Sequence, residues 1–418
     1  MKISNQQQKS LFLYLVLTSI VARIGFISIH NLDLLRTPYN HTLTEKEYQE
    51  SQWTQSQNVS PDVLLDEWAI QSGYTGWKNY EDEMRGTVAI DEKRIAIIQD
   101  KKDKGISDST LYAYAGYKYV TGTSPHLLNP EHPPFAKYLI GWSIQLFGNT
   151  VIGSLVVGVL LLVVVGWFTY IITHSYLRAA IAALLVSSFS LFKDQLINGP
   201  QLELYQALFV LLFLSFHTVW LKNKNRTMYI FASIVLGLGL STKTLLPFLT
   251  LFGIYILAVH FISFSKNKQY AVISSLFLLG AAGLVFVLTY LPYFSQGNSL
   301  RSFLGLQKYI VMFYQTSSIP LVEFFGNYIR LITTGSWKFW DEARTVSQYS
   351  AWDISWPLLT ILSCIASVRS FMRYTYLVLF LFLYHAFLFV TPIFPRYLLL
   401  LFIPSIIIIV STFGKKQL

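Results

Sequence analysis

Residues 150–173 read TVIGSLVVGVLLLVVVGWFTYIIT, a run without a single charged side chain. It is long enough to cross a hydrocarbon core of about 30 Å as a helix, which satisfies its backbone polar groups internally. Working outward, comparable apolar stretches stand at 11–30, 179–193, 202–221, 227–243, 245–263, 271–292, 351–368, 374–392 and 397–413. The third span, 179–193, is short and reads as tilted or partly re-entrant. The composition agrees: of 418 residues, 53% are hydrophobic, 16% aromatic and 13% charged, against about a quarter charged in soluble domains. Mean hydropathy is +0.45. These features predict an all-α polytopic membrane protein with about ten transmembrane helices, sited in the plasma or inner membrane as a multi-pass chain.

The cations set the expected topology. Lys2, Lys9, Arg178, Lys222, Lys224, Arg226, Lys266, Lys268, Arg369, Arg373, Lys415 and Lys416 fall on one side, as the positive-inside rule asks. Lys193, Lys243 and Arg396 occupy the short turns of the other side. Both termini are then inside. The divisions are a first helix within 1–30, a charged extracytoplasmic insert at 31–107, and an outer amphipathic loop at 108–149. Six further helices follow within 150–292, a second large outer loop at 293–350, and three last helices within 351–418. Ile20-Val21-Ala22 offers a weak cleavage site for a signal peptide, but the apolar run resumes through Ile29 and favours a retained helix. The net charge of +10 is dispersed at the ends of apolar runs, a membrane pattern and not one for nucleic acid. The lone Cys364 excludes a disulfide framework or a cysteine metal site.

Acidic residues are uneven. Fourteen of the 22 lie in 31–107, and the other eight are Asp108, Glu131, Asp194, Glu203, Glu323, Asp341, Glu342 and Asp353. A carboxylate in or beside a membrane segment costs several kcal/mol unless paired or wet, so these few are the functional candidates. Within the insert, Val63 to Ala69 and the charge-laced Thr87 to Lys104 read as a solvated helical cap.

The densest pattern is DSTLYAYAGYKYVTG at 108–122, followed by NPEHPPFAKYLIG at 129–141 and LFG at 146–148. Asp108 heads an amphipathic helix on which Tyr112, Ala115 and Tyr119 share one face. Alone, such an Asp is most often an N-cap, and His132 a satisfied polar residue. Pro133-Pro134 ends any helix and fixes an extended turn.

Taken together, these residues resemble the polytopic glycosyltransferases of the protein O-mannosyltransferase type (family 39) and the related lipid A aminoarabinose transferases. There an Asp, usually followed by Glu, precedes a spaced Tyr, Ala and Gly, then Glu-(His or Lys)-Pro-Pro and Leu-Phe-Gly. Asp108, Tyr112, Ala115, Gly122, Glu131, His132, Pro133, Pro134 and the run to Gly148 match in order; Ser109 departs from the usual Glu. Asp66-Glu67, Asp91-Glu92 and Asp341-Glu342 are true Asp-Glu pairs without the downstream pattern, which leaves Asp66 as the rival to Asp108. Arg23, Glu203, the Gly237–Lys243 run, the Trp-Pro of Ser350–Pro357, and Arg396-Tyr397 with Pro404 are similar to later family features.

The resemblance implies a GT-C-like fold and a polyprenyl-phosphate-linked sugar as donor. Its active site is on the extracytoplasmic face, with Asp108 as the catalytic residue. Direct displacement needs one carboxylate near the attacking hydroxyl or amine, and cations beside the departing phosphate. Lys243 and Arg396 are the first candidates for that phosphate, with His132 and Lys137 weaker, and Arg301 weaker again. Snorkelling to headgroups is the plainer reading of Lys243 and Arg396. Glu131 and Glu203 are supporting carboxylates that the resemblance allows to hold a divalent metal. Structural hydrogen bonding is their plainer reading. Tyr112 and Trp352, with Trp337, Trp340 and Tyr349, are expected to line the substrate loop or an interfacial belt. A single activating Asp implies inversion at the anomeric carbon. A lipid-carrier transporter would instead place its scarce charges near the bilayer midplane, and a non-catalytic relative would explain Ser109. Neither the sugar nor the acceptor (protein, lipid or cell-wall polymer) is legible.

Overall fold

The computed structural model describes residues 5–49, 106–243, 245–316, 325–338 and 345–413. Residues 50–105 of the insert, with Asp66 and both helix patches, and Asp341-Glu342 and Trp340 therefore lie outside the described residues. The chain opens with α1 (Asn5–His30), a short α2 (Leu32–Arg36) and α3 (His41–Gln49). The amphipathic α4 (Asp108–Val120) and α5 (Phe135–Phe147) follow, then α6 (Thr150–Thr173). The third expected span is broken into α7 (Tyr176–Ser188) and α8 (Ser190–Ile197), which bend by 62°.

The bundle continues with α9 (Leu202–Asn223), α10 (Arg226–Leu240), α11 (Leu245–Ser263) and α12 (Lys268–Leu288). Short turns between these helices follow from their capping residues. His174 and Lys224 take left-handed backbone (φ 54° for both) past the ends of α6 and α9. Ser175 and Asn225 then cap the next helices, accepting from Arg178 N (3.4 Å) and Thr227 N (2.9 Å). After α13 (Leu291–Ser295), α14 (Leu300–Thr316) and α15 (Asn327–Thr334) come β1 (Ser336–Lys338) and β2 (Val346–Gln348). They pair antiparallel with Trp337 opposite Ser347. This small sheet lies in the second loop of an otherwise helical set of described residues. Its backbone is held by Asn327, which donates to Lys338 O (2.8 Å) and accepts from Lys338 N (2.9 Å). The last elements are α16 (Ser355–Ser370), α17 (Thr375–Phe389), a 3-10 turn (Pro395–Leu398) and α18 (Leu399–Phe413).

The chain is a mostly helical, multi-pass membrane protein. Each expected span has a helical counterpart, and among the described residues five helices are long and apolar enough to cross alone: α6, α9, α11, α12 and the run Pro395–Phe413. The bent pair α7–α8 makes a sixth if counted as one. The helices α10 and α17 have 15 residues each, about 22 Å of rise against a core of about 30 Å. The helix α9 sits at the centre, packed on α6, α10 and α18.

The helices α4 and α5 form a hairpin over one end of this bundle. Gly116 and Gly141 meet at their crossing, where a Cβ on Gly141 would fall against Gly116 O and within 2.9 Å of Val120 Cγ1. Small residues let backbones approach so closely. Asn149 ties the hairpin to α6 and the early chain. Its Oδ1 caps α6 by accepting from Val151 N (2.7 Å), and its Nδ2 donates to Leu34 O (2.9 Å) and Thr37 O (2.9 Å). A second core of Tyr48, Leu111, Tyr114, Ala115, Tyr119 and Leu128 fixes α3 on the outer side of α4. Gly141→Ala should destabilise the purified protein by about 1–3 kcal/mol through overpacking. Gly280→Ala, with open space around it, should be neutral. Thermal unfolding in detergent compares the two, and equal midpoints would refute the tight crossing.

Candidate functional site

Four of the sequence candidates converge at the end of the bundle beneath the α4–α5 hairpin. Asp108 is the first residue of α4, but the cap is Ser107, whose Oγ accepts from Thr110 N at 3.1 Å. The Asp108 carboxylate is therefore not spent on capping. It accepts instead from Arg396 Nη2, from the 3-10 turn 288 residues away. Arg396 Nε lies 2.7 Å from Glu203 Oε1, in the first turn of α9. The same oxygen accepts from Lys243 Nζ, just beyond the end of α10. Glu203 and Lys243 are 1% and 5% exposed, whereas Asp108 is 44% exposed. The cluster thus runs from a buried ion pair to a carboxylate at the surface.

Side contacts fix the two cations. Arg396 Nη1 donates to Gln201 Oε1 at 3.3 Å, and its guanidinium lies 4.9 Å from the Phe394 ring. Lys243 Nζ stands 3.9 Å over the Tyr397 ring, a cation–π contact strengthened by desolvation. The turn before α5 is docked on the same place by Phe135 N donating to Ser241 O at 2.9 Å. Tyr112 is buried on α4 with its ring 5.6 Å from His132.

The Glu131 neighbourhood is a second network. Asn129, in left-handed backbone (φ 48°), bridges two buried charges. Its Nδ2 donates to Glu131 Oε1, and its Oδ1 accepts from Lys137 Nζ at 3.0 Å. Lys137 also donates to Asn129 O (2.6 Å) and His132 O (2.7 Å). Burial draws both ionisable groups toward neutrality, Glu131 up to about 7 and Lys137 down to about 7. Three carbonyl acceptors match the three donors of an ammonium, which favours the charged lysine. Asp108 lies near enough to push the Glu131 carboxyl upward as well.

These positions revise several expectations. Lys137 is fully buried and its donors are taken by carbonyls, so it braces the 129–132 turn. Burial, then the cations Lys137, Lys243 and Arg396, hold His132 well below its ordinary 6.5, so it brings no positive charge. Trp352 is in the second loop's own packing, donating from Nε1 to Ile332 O (3.0 Å) with its ring on Gly335. That loop is stapled to α8 by Tyr349, whose hydroxyl donates to Asp194 Oδ2. Among the described residues no three His, Cys, Asp or Glu cluster, and Glu203 Oε1 already faces two cations. Sequence reasoning missed Asn129 and Gln201, for which Asn-Pro-Glu and Pro-Gln-Leu-Glu were the available signals.

Residues 131–293 match the model of the family described as dolichyl-phosphate-mannose-protein mannosyltransferase. The resemblance read from the sequence is thereby shown over less than half of the chain, and it indicates a membrane glycosyltransferase of the GT-C type. Glu131, His132, Lys137, Glu203 and Lys243 fall inside the match, whereas Asp108 and Arg396 lie outside it. No curated protein and no solved structure matches the chain.

Glu203→Gln leaves Lys243 and Arg396 short of a buried counter-charge and should cost about 3–5 kcal/mol. A drop below about 1 kcal/mol in detergent unfolding would contradict the buried pairing. For His132 the folded chain disfavours the proton that the unfolded chain binds. Stability is therefore present above 6.5 and lost as pH falls below it, by up to about 1.4 kcal/mol per pH unit. His132→Gln should flatten that slope in a thermal-shift series, and an unchanged slope would show that His132 protonates freely when folded.

Proposed function

With the match to the dolichyl-phosphate-mannose-protein mannosyltransferase family as premise, we propose an inverting glycosyltransfer from a polyprenyl-phosphate-linked sugar. The acceptor is a protein, lipid or cell-wall polymer on the extracytoplasmic face. The observation that supports this most is the convergence of Asp108, Arg396, Glu203 and Lys243 at one end of the bundle.

Asp108 is the accessible carboxylate of the group and suits the base. As the acceptor oxygen forms its bond to the anomeric carbon, its proton passes to Asp108 Oδ2. The bond from that carbon to the phosphate oxygen breaks, and the electron pair leaves with the polyprenyl phosphate. Attack opposite the leaving group inverts the anomeric centre. Arg396 and Lys243 supply positive charge beside the leaving phosphate, in a place already shielded from water. Glu203 holds both cations there, through Oε1.

The pairing of Arg396 with Asp108 gives the reaction an order. While Arg396 donates to Asp108 Oδ2, that oxygen is engaged and poorly placed to accept a proton. A donor phosphate that takes over Arg396 releases the carboxylate, so the base is freed when the donor is bound. Asp108→Asn should lower transfer from a labelled polyprenyl-phosphate sugar by about 10²–10⁴-fold, with donor binding retained. Undiminished transfer, or a product of retained configuration, would refute the assignment.

A further inference from the structure

The opposite end of the bundle carries a second pair of cations, beside a cavity. Along α9, Lys222 is 19 residues beyond Glu203, about 28 Å at the rise of an α-helix. There the ends of α6, α9 and α11 and the start of α17 enclose an open cavity of about 220 Å³. Lys222, Arg373 and Thr375 line it together with the apolar Phe168, Ile172 and Ile262.

Neither cation is neutralised. Lys222 Nζ donates to Ile171 O at 2.8 Å, which leaves two of its three donors for another partner. The Arg373 guanidinium lies 5.2 Å from the Tyr374 ring, and among the described residues no carboxylate pairs with it. Along the sequence, none of the eight acidic residues beyond the insert falls in or next to these helix ends. The candidate glycosyl site is the reverse, since each of its cations faces a carboxylate. The first turn of α17 adds backbone N–H groups with no intrahelical acceptor at the cavity wall, and its N-cap Tyr374 provides no side-chain cap.

We propose that this cavity binds a phosphate anion with an apolar neighbour, the chemistry of an anionic phospholipid headgroup. Lys222 and Arg373 hold the phosphate oxygens, and the Phe168–Ile172–Ile262 wall takes the glycerol and first methylenes. Met372, which lines the cavity, and its chain neighbour Phe371 are 88% and 50% exposed, and acyl chains would continue along them into the membrane. Free inorganic phosphate shares the polar half of this chemistry and lacks the apolar half. The site stands independently of the glycosyl reading.

The test uses the full chain, purified in a neutral detergent. Native mass spectrometry counts bound phosphatidylglycerol, with phosphatidylcholine as the uncharged comparison, and a thermal-shift titration probes inorganic phosphate. Phosphatidylglycerol should be retained over phosphatidylcholine, and Lys222→Gln with Arg373→Gln should reduce retention by about tenfold. Lys222→Arg with Arg373→Lys should restore it. Arg226→Gln with Lys268→Gln, at the same end but outside the cavity, should change little. A thermal shift with phosphate that disappears in the Gln pair would support the anion site and assign it to a soluble source. Equal losses in both Gln pairs, equal retention of the two lipids, or no loss from the cavity pair would overturn the proposal.

Discussion

Glu203 places one carboxylate oxygen between Lys243 and Arg396, at the meeting point of α9, the end of α10 and the turn into α18. Taking three charges out of water costs several kcal/mol for each, and only close mutual contact offsets it. The arrangement therefore has little tolerance: moving any of the three helix ends leaves a charge buried alone. Arg396 extends the constraint to Asp108 and so fixes the start of α4 as well. Four segments spread over 288 residues are registered against one another by one oxygen atom and one guanidinium.

The hairpin above this cluster depends on a different physics. The helices α4 and α5 carry few charges at their contact and rely on backbone approach at Gly116 and Gly141. That approach brings the 129–134 turn over the end of α10, where Phe135 N reaches Ser241 O. The turn is stiffened from within by Lys137, whose ammonium gathers the carbonyls of Asn129 and His132. A lysine in that position serves as an internal clamp.

Hydropathy made the spans legible because lipid imposes a single requirement on each of them, and the bent third span was foreshadowed by its length. Asp108, Glu203, Lys243 and Arg396 were each legible as scarce charges beside apolar runs. Their mutual pairing was not, because a contact across 288 residues leaves no local periodicity. Ser107 also hid the release of Asp108 from capping: Ser and Asp both cap well, and side-chain geometry decides between neighbours. The strand pair in the second loop escaped for the opposite reason. Three-residue strands are too short for alternation to register, and Asn327 supplies from outside the order they lack.

Charge balance separates the two ends of the bundle. At the Asp108 end two carboxylates meet two cations, so the resting cluster is neutral overall. A phosphate arriving there adds negative charge to a balanced set and must displace a carboxylate to gain a cation. Glu203 is buried between both cations and cannot withdraw, whereas Asp108 is exposed and shares Arg396 by one contact. On the proposed reading, the carboxylate that yields is the one at the mouth, and binding of the leaving group and liberation of the base would be a single exchange of partners at Arg396.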